Sequence, residues 1–569
     1  RIKNFETFTS TGATSEEIFI ESEKIDRDVQ RGLLHAERKC NSIPNSPWTP
    51  RLIYLKNLVS WWRLWCTELS TGLDTSQRRV RFNFTSEWPS PPPPTKISTA
   101  IKERRKAQTS LKLYLRQATS NREDFLNQKL MEAGLIDDTD RQKAIQAIKK
   151  PEARKRIFQK LRRVRPNHSK GLSSLSVPFW PPDESGTRQP CYTANKLSNE
   201  DQAKLTYEEF HDPHQITAFI LDRNREHYHQ AEGTTFASNP LLQFFGRSGI
   251  SNNTDAFFNW TAHPLGPLTK AEDSLLTTLR ASRLSPLDHT ITLTEVRNGY
   301  KAWKENTSTS PNGVHLGHQK ALLQSTASED PTIDDVGTSY FRSVAAQLTL
   351  ASTTGRPLAR WQDIATTVIP KINGNNKIER QRMLQIPASD INLLFGIIWG
   401  RKLLYHANDR GALNTEQWGT CPGKSAMDVV FLKHLTYTMF HLSHTGGGTF
   451  DNDARSCYDR IVTSLANLRS HQLGVPTSTC TLLASFLETA HYRLRTGHGL
   501  SKEFYCTNDG KYLHGPGQGS REGPCLWLIV STLAMDTMPV GASPIQFTDP
   551  EGHRGSYRYM DGYVDDTTT

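Results

Sequence analysis

The stretch Thr449 to Val462, TFDNDARSCYDRIV, constrains the fold more than any other, because it sets acids on a short strand between a glycine-rich turn, Gly446 to Gly448, and a helix. The helix is predicted from Ile461, Val462, Leu465, Leu468 and Leu473, which recur at helical spacing until Gly474 and Pro476 stop it. Asp453 is thereby expected at a strand end, with Arg455 its only basic neighbour, and Asp459 at the opening of the helix. A strand-end carboxylate is what a divalent metal ion needs. Asp451, Asp453 and Asp459 suit turn and N-cap positions equally well, so this stretch alone leaves both readings open.

Two later stretches supply what the first lacks. Gly515 to Pro524, GPGQGSREGP, is a glycine-rich loop that leads into an apolar helix over Cys525 to Met538. Gly562 to Asp566, GYVDD, sets two adjacent carboxylates after an aromatic residue, where a tight hairpin turn is expected. Phosphoryl transfer by the two-metal route needs about two or three carboxylates converging on ions roughly 4 Å apart. Asp453, Asp565 and Asp566 have the chemistry for it.

At these residues the chain resembles the reverse transcriptases, most closely those of non-LTR retrotransposons and similar retroelements. The first palm motif of that family, an acid, four residues, an aromatic and a second acid, reads Asp453, Tyr458 and Asp459. Its Gln-Gly motif with a following Pro reads Gln518, Gly519 and Pro524, and its aromatic-x-Asp-Asp motif reads Tyr563 to Asp566. The resemblance implies an α+β right-hand polymerase in which Asp453, Asp565 and Asp566 are catalytic and, with the backbone carbonyl of Ala454, hold two Mg²⁺ ions, or Mn²⁺ in their place. It implies that Tyr458 lies under the sugar of the incoming nucleotide and excludes a ribose hydroxyl, so that the product is DNA. Gln518 would pack on that nucleotide, and Gly519 would let backbone approach it.

Upstream, an Ile-Pro-Lys run ending at Lys371 and a later Arg382 match the family's fingers. An apolar strand, a turn at Asn373 to Asn376 and a second strand from near Arg382 predict a hairpin that sets Lys371 and Arg382 on neighbouring strands, where they would clamp a triphosphate. Thr307 to His318, TSTSPNGVHLGH, resembles the loop before the fingers, and Arg223 to Phe236, RNREHYHQAEGTTF, resembles a segment that precedes the polymerase core. His227 and His229 are read as exposed polar residues, and His315 with His318 as an incidental pair lacking a third metal ligand.

Charge is concentrated rather than spread. The formal net charge is +11, and residues 141–170 carry twelve Lys and Arg against Glu152 alone, so the remainder is neutral in sum. Lys149, Lys150, Arg154, Lys155, Arg156, Arg162, Arg163 and Arg165 form the centre of that run and are the candidate contacts to nucleic acid, although Ile157, Leu161 and Val164 also allow a docked helix with a solvated face. Eight scattered cysteines without a Cys-x-x-Cys pair indicate neither a zinc module nor a disulfide framework. No apolar run reaches membrane-spanning length, and no membrane partner is expected.

The organisation expected is a helical region over 1–88, with Trp61 and Trp65 on one buried face, then a Pro-rich linker at 89–96 and a basic helical arm over 97–170. A loop and helical connector follows over 171–285, then fingers over 286–440 and part of a palm over 441–569. The family pattern continues past the paired acids into the rest of the palm and a thumb. RNA template, DNA primer and deoxynucleoside triphosphates are the expected partners, inside the cell, in nucleus or cytoplasm. Two other classes stay open: an RNA-dependent RNA polymerase, and an inactive nucleic-acid-binding piece of a decayed element.

Overall fold

The computed structural model describes residues 14–39, 49–82, 84–149, 172–281, 283–304, 314, 316–325, 335–444, 451–454, 456–507, 511–537, 545–548, 551, 555–558, 560–563 and 566–568. They form an α+β structure in two units, one of residues 39–163 and one of residues 1–38 with 164–569.

In the smaller unit the helix Pro50–Thr71 packs on the helix Ile97–Arg116. Thr49 caps the first, its hydroxyl accepting from the Leu52 amide at 3.1 Å, and Gly72 ends it in the left-handed conformation. Trp62, Cys66, Ala100 and Ala107 are buried between the two, with Trp61 and Trp65 edge to face at 6.3 Å and Arg79 over the Trp65 ring at 3.6 Å. Trp61 and Trp65, expected on one buried face, are half-buried against this core, and the buried tryptophan is Trp62. The Pro-rich run at 89–94 therefore does not separate two domains: the helices on either side of it share one core.

The expected N-terminal region is divided differently as well. The helix Ser15–Lys39 belongs with the larger unit, where Phe19 joins the main core. Asp26 on that helix accepts from Arg360 Nε and Nη2, both at 2.8 Å, while Arg360 Nη1 donates to Asp390 at 3.1 Å. Breaking a buried ion-pair network of this kind typically costs about 3–5 kcal/mol, because a charge is left unpaired.

Past residue 164 the larger unit continues with β1 (Leu175–Phe179) and β2 (Thr206–Phe210), an antiparallel pair inside the expected connector. This corrects the reading of 171–285 as a connector of loop and helix alone. Leu175, Val177 and Phe179 alternate into the core, but Pro178 interrupts so short a run and hides the pattern. The helix Pro213–His229 then follows, capped by Asp212.

β3 (Asp363–Pro370) and β4 (Gln381–Ile386) form the expected antiparallel hairpin, Ile369 opposite Arg382. β5 (Asp451–Asp453) lies apart from it. β6 (His491–Thr496) runs parallel to β3, and β7 (Gly499–Tyr505) completes a four-stranded sheet in the order β4-β3-β6-β7. β8 (Ile545–Thr548) and β9 (Gly555–Arg558) pair separately; β10 (Asp561–Tyr563) and β11 (Asp566–Thr568) join β5 in the order β10-β11-β5.

Helices Val336–Thr354, Ser389–Ile397, Thr463–Gln472, Thr477–Thr489 and Gly523–Thr537 enclose this core. Phe395 meets Trp399 and Phe486 edge to face at 5.5 and 5.2 Å, and burying each such ring contributes about 1.5–3 kcal/mol. Among the described residues no helix is long and apolar enough to cross a membrane.

Candidate functional site

The register of β5 and β11 brings the two acidic motifs together. Asp566 pairs with Asp453 and Thr568 with Asp451, while Tyr563 pairs with Asp566 on the other side. Directly opposed residues in antiparallel strands have Cα atoms about 4.5–5.5 Å apart, so Tyr563, Asp566 and Asp453 form one row across the sheet. Asp453 is exposed. Asp565 and Val564, the two residues between the paired Tyr563 and Asp566, lie outside the described residues.

β10 is fixed from its other edge. The Trp418 amide donates to the Gly562 carbonyl at 2.7 Å, and the Gly562 amide donates to Glu416 at 2.9 Å. Gln417, fully buried, donates through Nε2 to Ser531 Oγ at 3.1 Å and so ties this edge to the helix Gly523–Thr537.

After Asp453 and Ala454 the chain passes Ser456 at φ 56°, a left-handed conformation that costs a non-glycine residue about 1–3 kcal/mol. Cys457–Arg460 then make one 3₁₀ turn and the helix starts only at Thr463, so Asp459 sits in the turn instead of opening the helix. Asp459 is 5% exposed; its Oδ2 accepts from His227 Nε2 at 2.9 Å, and its Oδ1 is buried without a hydrogen-bond partner among the described residues. Burial holds His227 below its ordinary pKa against the opposing pull of that bond. His229 Nδ1 lies 3.1 Å from the Tyr512 carbonyl. The reading of these two histidines as exposed is thereby corrected: they point inward because Tyr228 between them anchors the helix, its ring stacked on Tyr505 at 5.8 Å.

The glycine-rich loop packs on both neighbours. At Gly515, φ 78°, a Cβ would stand 2.2 Å from the Tyr458 carbonyl oxygen. At Gly519, φ 110°, it would stand 2.6 Å from the Gln385 carbonyl oxygen, so the close backbone approach that Gly519 permits in this structure is to β4. The Gln385 amide donates to the Gln518 carbonyl at 2.7 Å, and Gln518 is half-buried. Glu522 closes the loop, fully buried, its carboxyl pushed up to about 8 by desolvation. Nothing in the sequence around Glu522 marks it, since its environment is made by the surrounding fold.

Lys371 and Arg382 are both exposed at the β3–β4 hairpin, where the Lys371 amide donates to the Arg380 carbonyl at 2.8 Å. Burial first, and then the positive charges of Arg223, Arg382 and Arg380, hold the Lys371 ammonium below its ordinary range. Such a cluster favours an anion between its members.

Of the basic run, Lys149 is described, and its Nζ bonds Glu123 at 2.6 Å. That partner reduces the charge it offers to phosphate. Lys150, Arg154, Lys155, Arg156, Arg162, Arg163 and Arg165 lie outside the described residues, as do His315 and 307–313 of the loop expected before the fingers. His318 is buried. Among the described residues no group of three or more His, Cys, Asp or Glu is placed to hold a metal ion. What β5 and β11 place in register are two aspartates, and oxygen-only donors of that kind suit Mg²⁺ or Mn²⁺.

No protein-family model matches the chain, and no curated protein matches it.

Proposed function

We propose that this chain is an RNA-directed DNA polymerase of the non-LTR retroelement type, with fingers built on the β3–β4 hairpin and a palm built on β5, β10 and β11. The observation that carries the reading is the pairing of Asp566 with Asp453, which joins two motifs from distant parts of the chain at one sheet row. Asp453, Asp565 and Asp566, with the Ala454 carbonyl, would hold two Mg²⁺ ions. When bound, these supply charge stabilisation of the reacting phosphate and acidify the primer hydroxyl.

The remaining work falls to the chain's own residues. Lys371 and Arg382 neutralise the triphosphate of the incoming nucleotide, Arg as a bidentate donor and Lys as a point charge. Tyr458 stands two residues past the strained Ser456, with its backbone against Gly515, and its ring would bar a 2′-hydroxyl. Gln518, tethered through its carbonyl to β4, would orient the incoming nucleotide. The reaction is attack of a primer 3′-hydroxyl on the α-phosphate of a deoxynucleoside triphosphate, with pyrophosphate leaving.

Primer extension on an RNA template, with a salt series of template binding beside it, tests the reading. Incorporation of deoxynucleotides supports it. Incorporation of ribonucleotides alone selects an RNA polymerase, and steep salt-dependent binding without extension selects a nucleic-acid-binding protein that does no chemistry.

A further inference from the structure

The helix Ile97–Arg116 of the smaller unit has two unlike sides. One is packed: Ala100 and Ala107 are buried against the helix Pro50–Thr71. Opposite them Ser98, Lys102, Arg105, Thr109, Lys112 and Arg116 follow one another at alternating steps of four and three residues, which sets them in one row along the helix. Every member of the row is exposed.

A helix face that only meets water ordinarily mixes both signs of charge. This row has four cations and no acid. Glu103, the one acidic residue of the helix, lies off the row and bonds Lys106 at 2.6 Å. Among the described residues none of the four row cations is in an ion pair. Their charge is therefore left for a partner outside the chain.

The spacing fits phosphates on a duplex. Lys102 with Arg105 and Lys112 with Arg116 make two pairs, and at about 1.5 Å of rise per residue the pair centres stand about 16 Å apart. B-form DNA has a row of phosphates on each side of a major groove about 12 Å wide, a span that long Lys and Arg side chains can bridge. Single strands are held largely by stacking bases on aromatic rings. The row has no ring, and Tyr114, the one aromatic residue of the helix, is half-buried with its hydroxyl 2.7 Å from that of Thr49. A membrane-surface helix lays its apolar face into lipid, and here the neighbouring helix occupies that face.

We propose that this row docks double-stranded DNA, bridging a groove from phosphate to phosphate without reading sequence. The inference does not depend on the polymerase reading.

The test is fluorescence anisotropy of the full chain with a short labelled DNA duplex of arbitrary sequence over a salt series. Each phosphate contact contributes about 0.9 to the slope of log affinity against log salt, so K102Q/R105Q/K112Q/R116Q should lower the slope by about 3 to 4 and weaken binding at least about tenfold at physiological salt. K102Q/R105Q and K112Q/R116Q should each show about half of that change, and they carry the test if the fourfold variant does not fold. K24Q/R31Q, which removes two exposed cations beside Glu21 and Asp28 on the helix Ser15–Lys39, should keep the wild-type slope. A wild-type chain that does not bind the duplex overturns the inference, as does a wild-type slope in the fourfold variant or, failing that, in both pair variants. An equal loss in K24Q/R31Q overturns it too, since total charge would then be the cause. So does tighter row-dependent binding to the single strand or to phosphatidylserine vesicles.

Discussion

His227 Nε2 lies 2.9 Å from Asp459 Oδ2, a contact between the helix Pro213–His229 and the turn that carries Tyr458. With a carboxylate as acceptor, Nε2 carries the hydrogen and the ring is neutral. Burial, and the charges of Arg223 and Lys196, depress the His227 pKa more than Asp459 raises it. His471 and His514 are depressed by burial too. A histidine whose folded pKa is below its unfolded value near 6.5 contributes stability above that pH, and the contribution is lost as pH falls through the folded value. The histidine contribution should therefore fall between pH 7 and 5.5, and the denaturant midpoint of H227Q, measured against that of wild type, should shift upward as pH falls over that range. No upward shift would show that the pair is not titrating as described.

Glu522 has the opposite sign. Its ordinary pKa of 4.5 is raised to about 8 in the folded chain, so the unfolded state releases a proton that the native state keeps. Stability from this group is complete below 4.5 and is lost as pH rises toward 8, by up to about 1.4 kcal/mol per pH unit. Glu522→Gln, which keeps the shape and never ionises, should be more stable than wild type at pH 7.5, with the gap closing at pH 5. Thermal unfolding at the two pH values measures it, and a gap that does not depend on pH would mean that Glu522 is ionised in the native protein.

Gly515 combines φ 78° with a Cβ position 2.2 Å from the Tyr458 carbonyl oxygen and 2.7 Å from the Asp459 carbonyl carbon. Both obstacles are backbone, which cannot rotate away. Gly515→Ala should cost more than about 1 kcal/mol in chemical denaturation and displace the Tyr458 turn. Stability within 0.5 kcal/mol of wild type, about the scatter of a neutral surface change, would contradict that packing.

Tyr458 packs half-buried against the main core. On the proposed reading, in which its ring bars a 2′-hydroxyl, Tyr458→Val should lower discrimination against ribonucleotides by at least about tenfold, equivalent to about 1.4 kcal/mol, in competition between dNTP and NTP. Unchanged sugar selection would assign the ring a packing role only.

What the sequence disclosed depends on how local the cause is. The β3–β4 hairpin could be read from the β-branched run of Thr366, Thr367, Val368 and Ile369, followed by the turn at Asn373 to Asn376. The helix after Pro524 announced itself by an unbroken apolar run. β1 and β2 did not, since Pro178 breaks one and the other, TYEEF, is largely exposed and owes its strand conformation to the pairing. The division of the N-terminal region depends on Asp26 meeting Arg360 and on Trp62 meeting Ala100, and no local pattern encodes such contacts. In the candidate site the acidic motifs pointed to Asp453 and Asp566, the predicted hairpin to Lys371 and Arg382, and the family resemblance to Gln518. The Asp459–His227 bond and the buried Glu522 were illegible, because each is created by segments that meet only in the folded chain.

The central claim is that the carboxylates of β5 and of the Tyr563–Asp566 hairpin form one catalytic centre. Single-nucleotide extension of a DNA primer on an RNA template, by wild type, D453N and D565N, tests it most directly. Asp453 is exposed, so its substitution should leave the unfolding midpoint unchanged. Wild type should incorporate the templated deoxynucleotide, and each variant should fall by at least about a thousandfold, the scale of losing electrostatic stabilisation at the reacting phosphate. Extension by D453N at the wild-type rate would contradict the account.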